Sequence, residues 1–301
     1  MKVIFADKEQ ARNLIGEMDI YTSNLKEFEL KAKLQTNENT TVMDYIAHAK
    51  DQALGWSEDD DSIHFKQLIL EALNDISFHL SENPMPLPEE VNFVLTTGLE
   101  EHGAAYTRGN TIFFNLQTHV AVVLFGKNLP RLIAHELVHI ATRNNADWKD
   151  KLYSTIGFLP CETPSFSNEF QKFQFSNPDA PEINHALQVN YKGIKQNVSP
   201  IIYTRKKQYE GGSFFKYIEV GLFLLDGTNE INYELFPEES RIISFDECEE
   251  FFQNVGKNTE YLFHAEEILA DNISDIYVDR TDFQSPEVVS NILEVLNEES
   301  F

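Results

Sequence analysis

Apolar residues recur at three- and four-residue spacing in two blocks of the chain and alternate with polar ones in the stretches between. The first helical block runs from residue 7 to about 81. Glu9 to Met18, Asn24 to Leu34, Val42 to Leu54 and Ile63 to Leu80 each predict a helix with one apolar face. Within it, Ser57-Glu-Asp-Asp-Asp61 lacks the glycine and terminal glutamate of a calcium loop, and its side chains suit capping of the Ile63 helix. Asn83-Pro-Met-Pro-Leu-Pro88 ends the block, because alternating prolines cannot continue a helix. A boundary is expected here, with an N-terminal helical layer at 1–83 and a second unit at 84–301.

Beyond the boundary, Val91 to Thr97 and Thr111 to Leu116 predict strands of one sheet, separated by the Gly98 to Gly109 segment. His119 to Phe125 predicts a buried helical turn, its histidine a surface or core residue sooner than a ligand. Leu129 to Thr142 follows as a helix, with Pro130 suited to its first turn, and Ala146 to Tyr153 as a short one ended by Gly157. From Phe158 to about Phe236 the chain turns rich in Pro, Asn, Gly and aromatics. Strand-like runs at Ala186 to Tyr191, Val198 to Thr204, Phe214 to Leu225 and Ile231 to Leu235, with a Gly211-Gly212 turn, predict a β-rich insertion at 158–236. The helical period returns from Asp246 through Phe252, at His264 to Asp279, and at Pro286 to Asn297. The class is α+β, and parallel βαβ units are not expected, since the strand runs cluster without helices between them.

Composition narrows the function classes. With 42% hydrophobic and 12% aromatic residues, 23 of them Phe, 301 residues suffice for a large buried core. The formal net charge of -25 repels phosphates and anionic lipid heads, so neither nucleic acid nor a membrane is an expected partner. It suits basic substrates, or simply solubility. The start, Met1-Lys-Val-Ile-Phe-Ala-Asp-Lys-Glu, has no apolar stretch of signal-peptide length and no later run approaches a membrane span, so a cytoplasmic location is expected, delivery to a host cytosol included. Cys161 and Cys248 are far apart and outside any CxxC spacing, which predicts free thiols.

The chemistry centres on His135-Glu136-Leu137-Val138-His139. Two histidines four apart on a helix project from one face, so both imidazoles can reach a single zinc ion. Glu136 then lies beside the metal, where it can take a proton from a bound water and pass it to a leaving amine. A catalytic zinc needs a third protein ligand. An HExxHxxGxxH extension is excluded, since Thr142 and Asn145 stand where its glycine and third histidine would be. His264-Ala-Glu-Glu-Ile-Leu-Ala-Asp-Asn272 supplies the alternative: Glu267 and Asp271 share a helix face, Glu267 to bind zinc and Asp271 to accept the other ring N–H of His135. Glu266 is the rival ligand, ranked lower because only Glu267 has an aspartate four residues on.

With these paired motifs the sequence resembles the gluzincins, the thermolysin-like HExxH zinc metallopeptidases, and more loosely so from about Val91 to Arg143. The resemblance implies a zincin-like catalytic core of a small sheet, an active-site helix and a ligand helix. It also implies an edge strand that holds an extended substrate, matched by Ala105-Tyr-Thr-Arg-Gly-Asn-Thr-Ile-Phe-Phe114. Glu267 lies 128 positions after His139, far more than in minimal members, so the inserted β-rich region should border the cleft and restrict which peptides or proteins are cut. An oxyanion donor is expected among Tyr209, Tyr261, His264 and Tyr277, with His264 preferred for sharing the ligand face. Two other readings stay open: a zinc-stabilised binding module, and a metallopeptidase effector or toxin. Neither oligomeric state nor substrate identity is legible.

Overall fold

Four short strands form the first sheet: β1 (Lys2–Phe5), β2 (Glu90–Thr96), β3 (Tyr106–Arg108) and β4 (Thr111–Asn115), in the order β1-β2-β4-β3. The computed structural model describes residues 1–126, 128–225 and 241–298. The expectation against parallel pairing is overturned, because β2 runs parallel to both β1 and β4. Its premise failed at β1, four residues at the start of the chain that carry too little pattern to announce a strand, and the N-terminal helices form the crossover to β2. Only β3 is antiparallel, joined to β4 by Gly109-Asn110, where Gly109 takes φ +54 as a tight hairpin requires. That hairpin leaves β3 on the sheet's edge.

Both faces of this sheet are covered, following the two-residue period of its strands. Phe93, Leu95, Ile112 and Phe114 point into the main core, against α5 (Asp60–Asp75) and α8 (Leu129–Asn144). Val94, Tyr106 and Phe113 point the other way, onto α1 (Lys8–Ile15) and α4 (Val42–Gln52) through Ala11, Ile15, Tyr45 and Ala49. Asp7, Thr41 and Asp59 fix the helix starts by each accepting the backbone N–H three residues on, and Asp59 gives the acidic run the capping role expected of it. The Asn24 to Leu34 run folds as α3 (Glu27–Lys33), preceded by a short α2 (Ile20–Asn24) that no run predicts, and the last helix of the block divides into α5 and α6 (Ser77–Glu82). Phe65 and Ile69 of α5 share one core with Ile133 and Leu137 of α8. The N-terminal helices are therefore built onto the same sheet as the rest of the chain.

The described part of the insertion is β-rich, as expected. β5 (Phe158–Pro160), β6 (His185–Tyr191), β7 (Ile194–Tyr203), β8 (Glu219–Leu224) and β9 (Ile242–Ile243) form one antiparallel sheet in sequence order. Phe214–Tyr217 is a 3-10 turn ahead of β8, and the Ile231 to Leu235 run lies outside the described residues. Leu187, Val189, Val198 and Leu222 of this sheet enter the main core too.

The remaining helices are α7 (Leu116–Phe125), α9 (Ala146–Thr155), α10 (Asn168–Gln171), α11 (Glu249–Val255), α12 (Ala265–Ile276) and α13 (Pro286–Glu298). α12 packs along α8 through Ile268, Leu269 and Ile273, all fully buried. Burying each such side chain contributes about 1.5–3 kcal/mol, which holds rigid the two helices that carry the site. His119 stacks on Phe65 with ring centroids 4.7 Å apart. Cys161 and Cys248 are not joined in a disulfide, and no described helix is long and apolar enough to cross a membrane.

Candidate metal centre

α8 begins where the Asn128 side chain accepts the Arg131 N–H, with Pro130 in the first turn. The helix then presents His135 and His139 one turn apart toward α12. His135 Nε2 lies 3.1 Å and His139 Nε2 3.6 Å from the same oxygen, Glu267 Oε2. Ligand-capable atoms of these three residues all lie within 4.8 Å of one another, and all three residues are buried. His139 Nε2 has no hydrogen-bond partner, a costly state for a buried polar atom.

A divalent ion fits this arrangement. Two atoms each about 2.0–2.1 Å from a tetrahedral centre lie roughly 3.3–3.4 Å apart, and the measured 3.1 and 3.6 Å bracket that value. The donor set of two imidazoles and one carboxylate suits zinc and leaves one position open. Glu267, not Glu266, faces both Nε2 atoms, as the spacing predicts.

Each histidine is held from behind by its own carboxylate. His135 Nδ1 is 3.1 Å from Asp271 Oδ1, which also takes Arg131 at 3.0 Å, while Thr259 donates to the other oxygen. His139 Nδ1 is 3.1 Å from Glu266 Oε1, and Glu266 in turn accepts Thr142 and Tyr153 hydroxyls, both at 2.6 Å. Such bonds fix the ring orientation and raise ligand basicity. Burial pushes both carboxyls up, but bonding to the histidines outweighs it and holds Asp271 and Glu266 at about 2. Burial likewise opposes charge on the imidazoles, yet the surrounding carboxylates keep His135 well above its ordinary value and His139 at about 9, so a metal entering here would displace protons. The role of Glu266 was not legible in the sequence. Thr142 and Asn145, the positions that exclude the extended motif, serve Glu266 and the N-cap of α9.

Glu136 is 2% exposed, and its Oε2 has no partner. Burial first, then the Asp179 carboxylate, push its carboxyl up to about 7. Asp179 and Asn177 were both missed by sequence reasoning. Glu136, His139 and Asp179 bring ligand-capable atoms within 4.8 Å of each other, and Asn177 Nδ2 donates to Glu267 Oε1 at 2.5 Å. Their Asn-Pro-Asp turn carries no spacing relative to the helix motifs that could have flagged it.

The preference for His264 as oxyanion donor is corrected. α12 starts at Ala265, so His264 is its N-cap, with extended backbone at φ -160 and ψ 158, and the helical-face argument does not reach it. Its Nδ1 accepts the Glu266 N–H at 3.0 Å and its Nε2 donates to the Glu182 carbonyl at 3.2 Å, so neither nitrogen is left for a substrate. Tyr209 and Tyr277 hydroxyls are spent on the carbonyls of Gly212 and Asn83. Tyr261 stands beside the centre, ring centroid 6.1 Å from that of His135 and 37% exposed. Burial and the carboxylates around it, Glu267 and Asp179 foremost, hold its hydroxyl protonated.

No family model matches this chain, and neither curated proteins nor solved structures yield a match.

Proposed function

We propose that the protein is a zinc-dependent peptidase of gluzincin type, with a zincin-like core made of the first sheet, α8 and α12. The observation that carries the reading is the convergence of His135, His139 and Glu267 beside a buried Glu136 oxygen that has no partner. A purely structural zinc site has four protein ligands and no use for such a carboxylate. When bound, zinc supplies a Lewis acid and lowers the pKa of water toward neutrality.

The chain's own groups do the rest. Glu136 takes the proton of the attacking water and returns it to the leaving amine. The protonated Tyr261 hydroxyl meets the charge developing on the scissile oxygen. Asp271 and Glu266 keep the imidazoles aimed. The edge of β3 runs past the site, since Arg143 of α8 bonds Thr107, and an edge strand can align an extended peptide by backbone pairing. Phe175 and Phe214 of the insertion share a cavity with Tyr106, Asp179 and Tyr261, so the insertion borders the cleft and restricts substrates.

The test is metal analysis together with a peptide-library digest read by mass spectrometry, comparing zinc-loaded wild type with Glu136→Gln. Glu136→Gln should keep one zinc per chain and lose cleavage by at least about a hundredfold. Cleavage that persists unchanged in Glu136→Gln would remove the peptidase assignment, and absence of stoichiometric zinc would remove the centre itself.

A further inference from the structure

We propose that residues 175–182 form a strap that occupies the substrate track, so that the described conformation is a closed, latent form of the enzyme. This inference rests on the peptidase reading above. Its first support is at the edge of β3. Register with β4 directs the Tyr106 and Arg108 backbone toward that strand and the Thr107 N–H outward, to where an extended peptide would pair. That N–H is already taken: it donates to Asp179 Oδ1 at 2.7 Å, and the Thr107 hydroxyl donates to the same oxygen at 2.7 Å. The carboxylate thus stands where a substrate carbonyl would stand. The same residue lies against Glu136 and His139, and Asn177 two residues earlier is bonded to Glu267.

The second support is the shape of the space around the centre. Three cavities of about 280, 70 and 440 Å³ meet along this one segment. Asn177 lines the first and second, Asp179 the second and third, and Ala180 and Pro181 the first and third. The one that contains both Asp179 and Tyr261 is the smallest, whereas pockets that bury a ligand are roughly 300–1,000 Å³. Displacing the strap would join the three into one groove, and the second and third cavities carry it past β3 at Tyr106 and Arg108. The strap is tied down from several sides: Arg143 donates to the Asp179 carbonyl at 3.1 Å, Asn24 to that of Pro181 at 2.8 Å, and His264 to that of Glu182. None of these ties involves Thr107, and it is the Asp179 carboxylate that competes directly with substrate for it.

The experiment measures access apart from turnover. In the Glu136→Gln background, loaded with zinc, binding of an extended peptidyl hydroxamate is titrated with and without Asp179→Ala. Releasing a charged hydrogen bond raises the open fraction, and affinity should rise on the order of ten- to a hundredfold. Unchanged or weaker binding, with zinc still stoichiometric, overturns the strap. Asp179→Asn, which keeps an oxygen for Thr107 and loses the charge, should give a smaller gain, and it guards against misfolding of the alanine variant. Hydrogen exchange on the wild type gives an independent readout: with saturating hydroxamate, segment 175–182 should exchange faster while the Thr107 amide stays protected. Slower exchange of that segment on binding would equally overturn the proposal. Tighter hydroxamate binding without peptide cleavage by Asp179→Ala alone would uphold the strap and remove the peptidase reading; Glu136-dependent cleavage with unaltered binding would do the reverse.

Discussion

Adjacent glutamates at the start of α12 are assigned opposite duties, and replacing them one at a time separates those duties. Glu266→Gln keeps the volume of a residue that is 1% exposed and keeps an oxygen toward His139 Nδ1 and the Thr142 hydroxyl. The new amide nitrogen then faces the Tyr153 hydroxyl, which turns from donor to acceptor. What is lost is the negative charge behind His139. Removing such support weakens metal binding by about 10- to 100-fold, or about 1.4–2.7 kcal/mol. Asp271→Asn should cost a similar amount through His135, and Arg131 retains its bond to Asp275. Because the two act on different histidines, their effects should multiply in the double variant to within about tenfold. Glu267→Gln removes a ligand and should empty the site. Zinc affinity is read at pH 7 by competition with a chromophoric chelator, with melting curves to confirm folding. A Glu266→Gln protein that holds no zinc, beside a Glu267→Gln protein that holds it, would refute the assignment, as would Glu266→Gln binding zinc as tightly as wild type.

Two further outcomes follow from the same geometry. Tyr261→Phe should keep its zinc and lower kcat by about 10²–10³ with little change in KM, as loss of a transition-state donor does; steady-state kinetics showing only a raised KM would reassign it to substrate binding. His264 is held at about 4 by burial and by Lys149, below the ordinary histidine value near 6.5. As pH falls from about 6.5 to 4 the unfolded chain gains a proton that the folded one refuses, so this group withdraws up to about 3 kcal/mol of stability over that window. His264→Asn preserves a capping side chain and should flatten the loss, measured by chemical denaturation of zinc-free protein at pH 7 and 4.5; parallel pH profiles for the two proteins would contradict it.

What the sequence disclosed was local. The pairs His135/His139 and Glu267/Asp271 are each one helical turn, a spacing that needs only a helix to become a shared face. Glu266 was legible as a carboxylate in the right place but not as the partner of His139, because which face of α12 meets which residue of α8 depends on how the helices pack. His264 misled for a local reason as well, since the capping preference that ends a helix competes with the periodicity that would continue it. β1 is too short to show a pattern, and with it went the parallel character of the first sheet. Asn177 and Asp179 reach the centre from a proline-flanked loop, and nothing near them in sequence encodes that journey.

The register of the two site helices can be read from their cross-links. Arg131 bonds Asp271 and Asp275, His135 meets Asp271, and His139 and Thr142 meet Glu266. Numbers rise along α8 as they fall along α12, so the helices run antiparallel, and Glu267 falls between the two histidines. In that register one turn of α8 is matched by one turn of α12, which is why a single pair of i, i+4 spacings provides both the candidate ligands and the support behind His135. Glu266 completes the symmetry for His139 because the adjacent residue, rotated about 100° around the helix, points past the metal position to the far side of the second imidazole. Arg131 has a further consequence: it anchors Asp271 and Asp275 one turn apart and so resists sliding of α12 along α8. The geometry offered to a metal therefore depends on a salt-bridged and apolar helix pair, and on the strap proposal access to its open side is governed separately, by the loop that carries Asp179.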